Sequence, residues 1–110
     1  GRLESYVAEH KRRMEKEDAT LKWLGQEDVW INGVHGTRLE YECQSEIVEG
    51  KPKIPVRALQ YIFDCKPRFY RVTCFVSSDL YAKYLRKFEA SAASFVRQPL
   101  PPPVPKYLTE

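Results

Sequence analysis

The side chains that could do chemistry in this chain are His10, His35, Asp28, Asp64 and the three cysteines Cys43, Cys65 and Cys74. They match no catalytic triad or dyad, and no spacing suits a metal site or a phosphate loop. The cysteines lack the C-x-x-C spacing of a zinc site, and their odd number predicts free thiols. A nucleophilic cysteine needs a base or a helix N-terminus to hold its thiolate. Cys43 and Cys74 alternate with polar neighbours on apolar strand faces, the opposite environment. His10 lies on the apolar stripe of a helix and is expected to be a partly buried or boundary histidine. His35 follows a turn and is expected to be exposed. The residues therefore predict no catalytic, cofactor-binding or metal-ligating set, and a protein that is not an enzyme.

The chain has 110 residues, enough for one small domain, here 1–97, with a proline-rich extended tail over 98–110. An apolar fraction of 43% with 30% charged residues is that of an ordinary globular domain. The net charge of +3 is weak, and basic residues alternate with acidic ones, as in Lys11-Arg12-Arg13-Met14-Glu15-Lys16-Glu17-Asp18. Such mixing marks a solvated helix face and predicts no nucleic-acid partner. No apolar run approaches the ~18 residues of a membrane span, and no secretory or transit signal is visible.

Leu3, Tyr6, Val7, His10 and Met14 recur at helical spacing, which predicts a helix from Leu3 to about Asp18. Thr20 to Gly25 reads either way. Glu27 to Ile31 reads as a short strand, and Asn32-Gly33 is a strong turn signal because both residues tolerate positive φ. Leu39, Tyr41 and Cys43 alternate with Arg38, Glu40 and Glu42, the period of a strand running from Gly36 to Glu46. Pro52 and Pro55 mark a loop. Val56 to Phe63 is apolar almost throughout and is expected to be a central strand covered on both faces. Asp64 to Arg68 forms the next turn, Phe69 to Val76 the fourth strand, and Asp79 to Phe95 a helix capped by Ser77, Ser78 or Asp79. Leu80, Tyr81, Tyr84, Leu85, Phe88, Ala92 and Phe95 share one side of that helix, and Lys83, Arg86 and Lys87 the other.

Pairing Cys43 with Ala58 and Tyr41 with Gln60, then Ala58 with Cys74 and Ile62 with Tyr70, puts Leu39, Tyr41, Cys43, Val56, Ala58, Ile62, Tyr70, Val72, Cys74 and Val76 on one core face. The other face carries Arg38, Glu40, Glu42, Arg57, Leu59, Tyr61, Phe63, Phe69, Arg71, Thr73 and Phe75. Cys43 and Cys74 then flank Ala58 about 10 Å apart at the usual strand spacing, beyond the reach of a disulfide. Leu59, Tyr61, Phe69 and Phe75 need a cover, either a second helix or a partner. The expected fold class is α+β: an antiparallel sheet of about four strands with an N-terminal and a C-terminal helix packed on it.

Trp30-Ile31-Asn32-Gly33, Leu39-Glu40-Tyr41, Tyr70-Arg71-Val72-Thr73 and Phe88-Glu89-Ala90-Ser91-Ala92-Ala93-Ser94-Phe95 resemble the PsbP/Mog1-like domain family, and the last block resembles its PsbP branch. The match covers about Leu3 to Phe95. It departs from the family in starting at the helix, without the N-terminal β-hairpin: either upstream residues are missing, or the domain is a reduced version with a sheet edge left for a partner. It also has Pro55-Val56-Arg57 where PsbP proteins tend to carry a histidine, so no metal role carries over; Asp64 stands near the matching acidic position, with Arg57 only loosely able to pair with it. The resemblance implies an α/β/α sandwich with no cofactor. It further implies a non-catalytic accessory subunit of a photosynthetic, photosystem-associated membrane complex. Such a subunit would dock on protein subunits in the thylakoid lumen of a chloroplast, peripheral to the membrane. The alternative is a soluble adaptor or chaperone of the Mog1-like or bacterial effector-chaperone type, in cytoplasm or nucleus. Either would bind its partner through Lys83, Arg86 and Lys87, the apolar residues Leu59, Tyr61 and Phe75, and the Pro101, Pro102, Pro103 strap. Lys11, Arg12 and Arg13 would add docking charge.

Overall fold

A computed structural model describes residues 1–97. Helix α1 (Arg2–Glu17) buries Leu3, Val7 and His10, one turn apart along a single stripe. Asp18 closes it in an extended conformation. The Asp18 carboxylate accepts the backbone N–H of Thr20 at 2.8 Å. The Thr20 hydroxyl in turn accepts the Gln44 N–H at 3.0 Å, pinning the end of the helix to the sheet.

Strands β1 (Lys22–Ile31), β2 (Val34–Ser45), β3 (Ile54–Cys65) and β4 (Arg68–Ser77) form one antiparallel sheet in the order β1-β2-β3-β4. A turn at Ser78–Leu80 leads into helix α2 (Tyr81–Arg97). Ser77 stands at the start of that turn but makes no side-chain cap bond; the Ser78 hydroxyl instead donates to Glu42 at 2.9 Å. The molecule is thus an α+β domain with a helix on each face of a four-stranded sheet.

Strand β1 is longer than its sequence suggests. A bulge at Leu24, between the pairs Trp23↔Tyr41 and Gly25↔Glu40, absorbs one residue and extends the strand back to Lys22. Its polar composition suits an edge strand exposed along most of its length. The β1–β2 hairpin turns on Asn32 at φ 50° and Gly33 at φ 80°, as its residues require. Gly36 is obligatory for another reason: a Cβ there would lie 2.9 Å from the Ile62 carbonyl oxygen and 2.9 Å from the Phe63 ring.

Both inner hairpins differ from the expected register, with different consequences. Tyr41 pairs with Ala58 and Cys43 with Val56, a shift of two residues that leaves every side chain on its expected face. Ala58, however, pairs with Phe75 and Ile62 with Arg71. The β3–β4 connection is a two-residue turn at Lys66-Pro67, so Cys65 pairs with Arg68 and the whole of β4 slips by one residue. A one-residue slip exchanges the two faces of a strand. Tyr70, Val72, Cys74 and Val76 therefore face α2, and Phe69, Arg71, Thr73 and Phe75 face the α1 side.

The core accordingly has two halves. Leu59, Tyr61, Phe63, Tyr81 and Ala92 form one, with Val72, Val76, Leu85, Phe88 and Val96 packed around them. Leu3, Val7, Leu39 and Ile62 form the other, beneath α1, with Tyr6, Trp23 and Phe69 at its margin. Leu59 and Phe69 are covered from opposite sides. Tyr6 stacks on Phe69 at 4.2 Å between ring centroids, and the Arg2 guanidinium lies 4.3 Å over the same ring.

Candidate functional site

Helix α2 separates its two chemistries by periodicity. Tyr81, Leu85, Phe88, Ala92 and Val96 enter the core, while Lys83, Arg86 and Lys87 project from exposed positions. The Tyr84 ring, half-buried, lies between the lysines, with Nζ of Lys83 at 5.8 Å and of Lys87 at 5.5 Å from its centroid. Among the described residues none of the three cations takes a carboxylate partner within ion-pair distance. The single acidic neighbour on the helix, Glu89, is drawn towards Arg38 at 3.6 Å. The result is a ridge of cations around an aromatic ring, anchored by a rigid inner face.

The other residues expected to bind a partner are not brought together with this ridge. Leu59 and Tyr61 lie beneath α2, with 1% and 4% of their surface exposed, and are core residues. Phe75 is 60% exposed but sits on the opposite face of the sheet, placed there by the β4 register. Pro101, Pro102 and Pro103 lie outside the described residues. Of the α1 cations proposed for docking, Arg12 pairs with Glu9. Lys11 donates to Gln26 at 2.8 Å and lies 4.6 Å over the Trp23 ring; Arg13 is exposed.

Where α2 starts, a polar network ties it to the sheet. Glu40 accepts from Arg38 Nη1 at 2.7 Å, from Arg57 Nη2 at 3.3 Å and from the Tyr81 hydroxyl at 3.1 Å. Burial opposes ionisation of Glu40, but the Arg38 charge and these hydrogen bonds hold the carboxyl below its usual range. Burial, with the Glu40 charge beside it, pushes the Tyr81 phenol well up. Arg57 stacks on Tyr81 at 4.6 Å and lies on this face, so it does not pair with Asp64. Asp64 instead accepts from Arg2 Nη2 at 3.0 Å, which holds its carboxyl low.

A second cluster was not anticipated. His35 is half-buried, not exposed: its Nε2 lies 2.6 Å from Asp28 Oδ1 and its ring stacks on Trp30 at 4.5 Å. It lines a groove of about 850 Å³ between α1 and β1, with Lys11, Arg12, Glu15 and Thr37 among the other walls. It also lines smaller clefts of about 350 Å³ beside Trp30 and Lys66 and about 240 Å³ beside Arg2 and Asp64. The Asn32-Gly33 turn alone could have found this pair, because a two-residue hairpin places Trp30 opposite His35. The Asp28 carboxylate orients the imidazole, yet among the described residues no hydroxyl or thiol hydrogen-bonds its other nitrogen. Nor do three His, Cys, Asp or Glu side chains converge on a common point among the described residues. Burial raises the thiol pKa of Cys43, Cys65 and Cys74, with Asp18 beside Cys43 and Asp64 beside Cys65 adding to it. All three are free thiols, and their environments suppress the thiolate.

No protein-family model matches the chain, and no curated protein matches it. Among solved structures, the chain is similar to PA94 of Pseudomonas aeruginosa, a protein of unknown function described as a candidate regulator. The TM-score is 0.72 at 18% sequence identity, over 93% of this chain and 64% of that one. At this identity the likeness is one of fold, and the chain spans less than two thirds of its neighbour's length.

Proposed function

We propose that this chain is a non-catalytic docking module that engages an acidic protein surface through the outer face of α2. The observation that carries this reading is the ridge of Lys83, Arg86 and Lys87 around Tyr84, uncompensated among the described residues and set on a helix whose other side is locked into the core. Cations presented on a rigid element lose little entropy on binding, and complementary charge steers the encounter. Among the described residues no helix is long and apolar enough to cross a membrane.

The adaptor or chaperone form of this function is supported by the fold shared with a bacterial protein described as a candidate regulator. The second form, an accessory subunit docked on a photosynthetic membrane complex in the thylakoid lumen, is supported by the Phe88–Phe95 block and its likeness to the PsbP branch.

Affinity purification of the native protein at low salt, with mass spectrometry of what co-purifies, tests the reading. The triple variant Lys83→Glu, Arg86→Glu, Lys87→Glu is expected to lose the partner while its circular dichroism is unchanged. Equal recovery of the partner by the variant would overturn docking through α2. Photosystem or antenna subunits in the eluate would select the accessory-subunit form, and a small GTPase or a secreted effector the adaptor form.

A further inference from the structure

His10 is the one buried titratable side chain on the inner face of α1, with 4% of its surface exposed. Its hydrogen bonds determine its protonation. Gln60 donates its amide nitrogen to Thr73 Oγ1 at 2.8 Å, which turns its amide oxygen towards His10. His10 Nε2 lies 2.8 Å from that oxygen and must carry the hydrogen. Nδ1 faces the Arg71 guanidinium at 3.1 Å. An arginine is a donor only, so Nδ1 must offer a lone pair. The relay from Arg71 through His10 and Gln60 to Thr73 joins β4, α1 and β3, and it closes only around a neutral imidazole.

We propose that this relay is an acid-operated latch: protonation of His10 breaks it and releases α1 from the sheet, while the α2 side stays packed. A second ring proton would have to sit on Nδ1, where the guanidinium already points. The charged groups around the ring mostly oppose it. Burial acts most strongly to hold the imidazole pKa below its usual value, the Gln60 bond pulls the other way, and the charges of Arg71 on β4 and Arg13 on α1 add to the burial effect. Among the described residues, Glu17 on α1 is the one nearby charge favouring the proton. From β2, the Tyr41 phenol is within electrostatic reach of Arg71 and is itself shifted upward by burial. β3 contributes the uncharged Gln60. Tyr6 lies parallel to the ring at 6.5 Å.

The direction of the effect follows from linkage. Above the ordinary histidine value of about 6.5 the imidazole is neutral whether α1 is docked or free, and docking stability does not depend on it. As pH falls below that value the released form takes up a proton that the docked form resists. Docking stability is then lost progressively, down to the lowered value in the docked state. The loss is local because the hydrophobic cluster beneath α2 contains no α1 residue. Release uncovers Leu3, Val7, Leu39 and Ile62 and removes the α1 wall of the groove that His35 lines. This inference does not depend on how α2 docks.

Amide hydrogen exchange of the whole chain at about pH 7.5 and about pH 5, corrected for intrinsic rates, tests it. Amides of α1 between Leu3 and Met14 are expected to lose protection at the lower pH while those of α2 keep theirs. His10→Gln keeps a hydrogen-bonding side chain but cannot be protonated, and it should abolish the difference. Equal loss in both helices, or a His10→Gln variant with the same acid sensitivity in α1, overturns the latch. Should that variant fail to fold, NMR titration of wild-type His10 decides. An Nε2–H tautomer at neutral pH that titrates below the ordinary range supports the latch, and titration within or above that range overturns it.

Discussion

The two helices hold the same sheet by different means. α2 is seated on a continuous cluster of Leu59, Tyr61, Phe63, Tyr81 and Ala92, with aromatic contacts such as Phe63 to Phe95 at 5.9 Å and Tyr70 to Phe95 at 5.8 Å. α1 rests on the smaller set Leu3, Val7, Leu39 and Ile62, and supplements it with polar clasps: Arg2 to Asp64, His10 to Gln60, Glu15 to the Trp23 indole. α2 has a clasp of its own in the Glu40 network at its start, but Glu40 stays ionised below the usual carboxyl range, so the clasp that titrates nearest neutrality is His10 on α1. Their outward faces reverse the contrast. α1 spends Arg2, Lys11 and Arg12 on intramolecular contacts, and α2 leaves Lys83, Arg86 and Lys87 to solvent. The firmly seated helix is the one with charge to offer, and the helix with its charge engaged is the one that can be loosened.

Five variants probe this contrast. Phe63→Ala should have the largest effect, about 3–5 kcal/mol lost, because the ring is fully buried at the centre of the α2 cluster. Chemical denaturation should show that loss in one global transition. If Leu3→Ala, expected near the lower end of about 2–5 kcal/mol, instead proves the costlier of the two, the ranking of the helices is wrong. Gly36→Ala drives a methyl group against the Ile62 carbonyl and the Phe63 ring, and should cost about 1–3 kcal/mol, read as a lowered Tm. Arg2→Gln removes a partly exposed ion pair with Asp64 and should cost less than about 1 kcal/mol. That difference should fade in high salt; if it survives, packing of Arg2 on Phe69 is the real contribution. The triple charge reversal on α2 should change stability least, within about 0.5 kcal/mol, while partner capture is lost.

Most of the architecture was legible in the residues. Helical spacing marked α1 and α2, alternation marked β2, and the near-continuous apolar run at Val56–Phe63 marked an inner strand. The cationic side of α2 was legible for the same reason: periodicity states which residues point away from whatever the helix packs on. Register was not. β3 and β4 carry apolar residues on both faces and tolerate more than one pairing, and the deciding feature was a turn of two residues at Lys66-Pro67 where five were expected to form it. That difference alone moved Phe75 and Arg71 to the α1 side. It also removed the reason to leave the neighbourhood of Leu59 and Tyr61 open for a partner. The start of β1 was hidden because a polar edge strand carrying a bulge has no clean alternation. His10 was placed on the correct stripe, but its relay depends on Arg71 facing α1, so it became visible only once β4 was in its true register.

The sheet also separates the chain's sulfur atoms, and that makes the molecule its own instrument. Cys43 sits on the α1 side, beside Asp18 where that helix ends, whereas Cys65 packs against the cluster beneath α2. Both are free thiols. Their rates of alkylation are two clocks in one polypeptide, one timing each helix, and they need no introduced label.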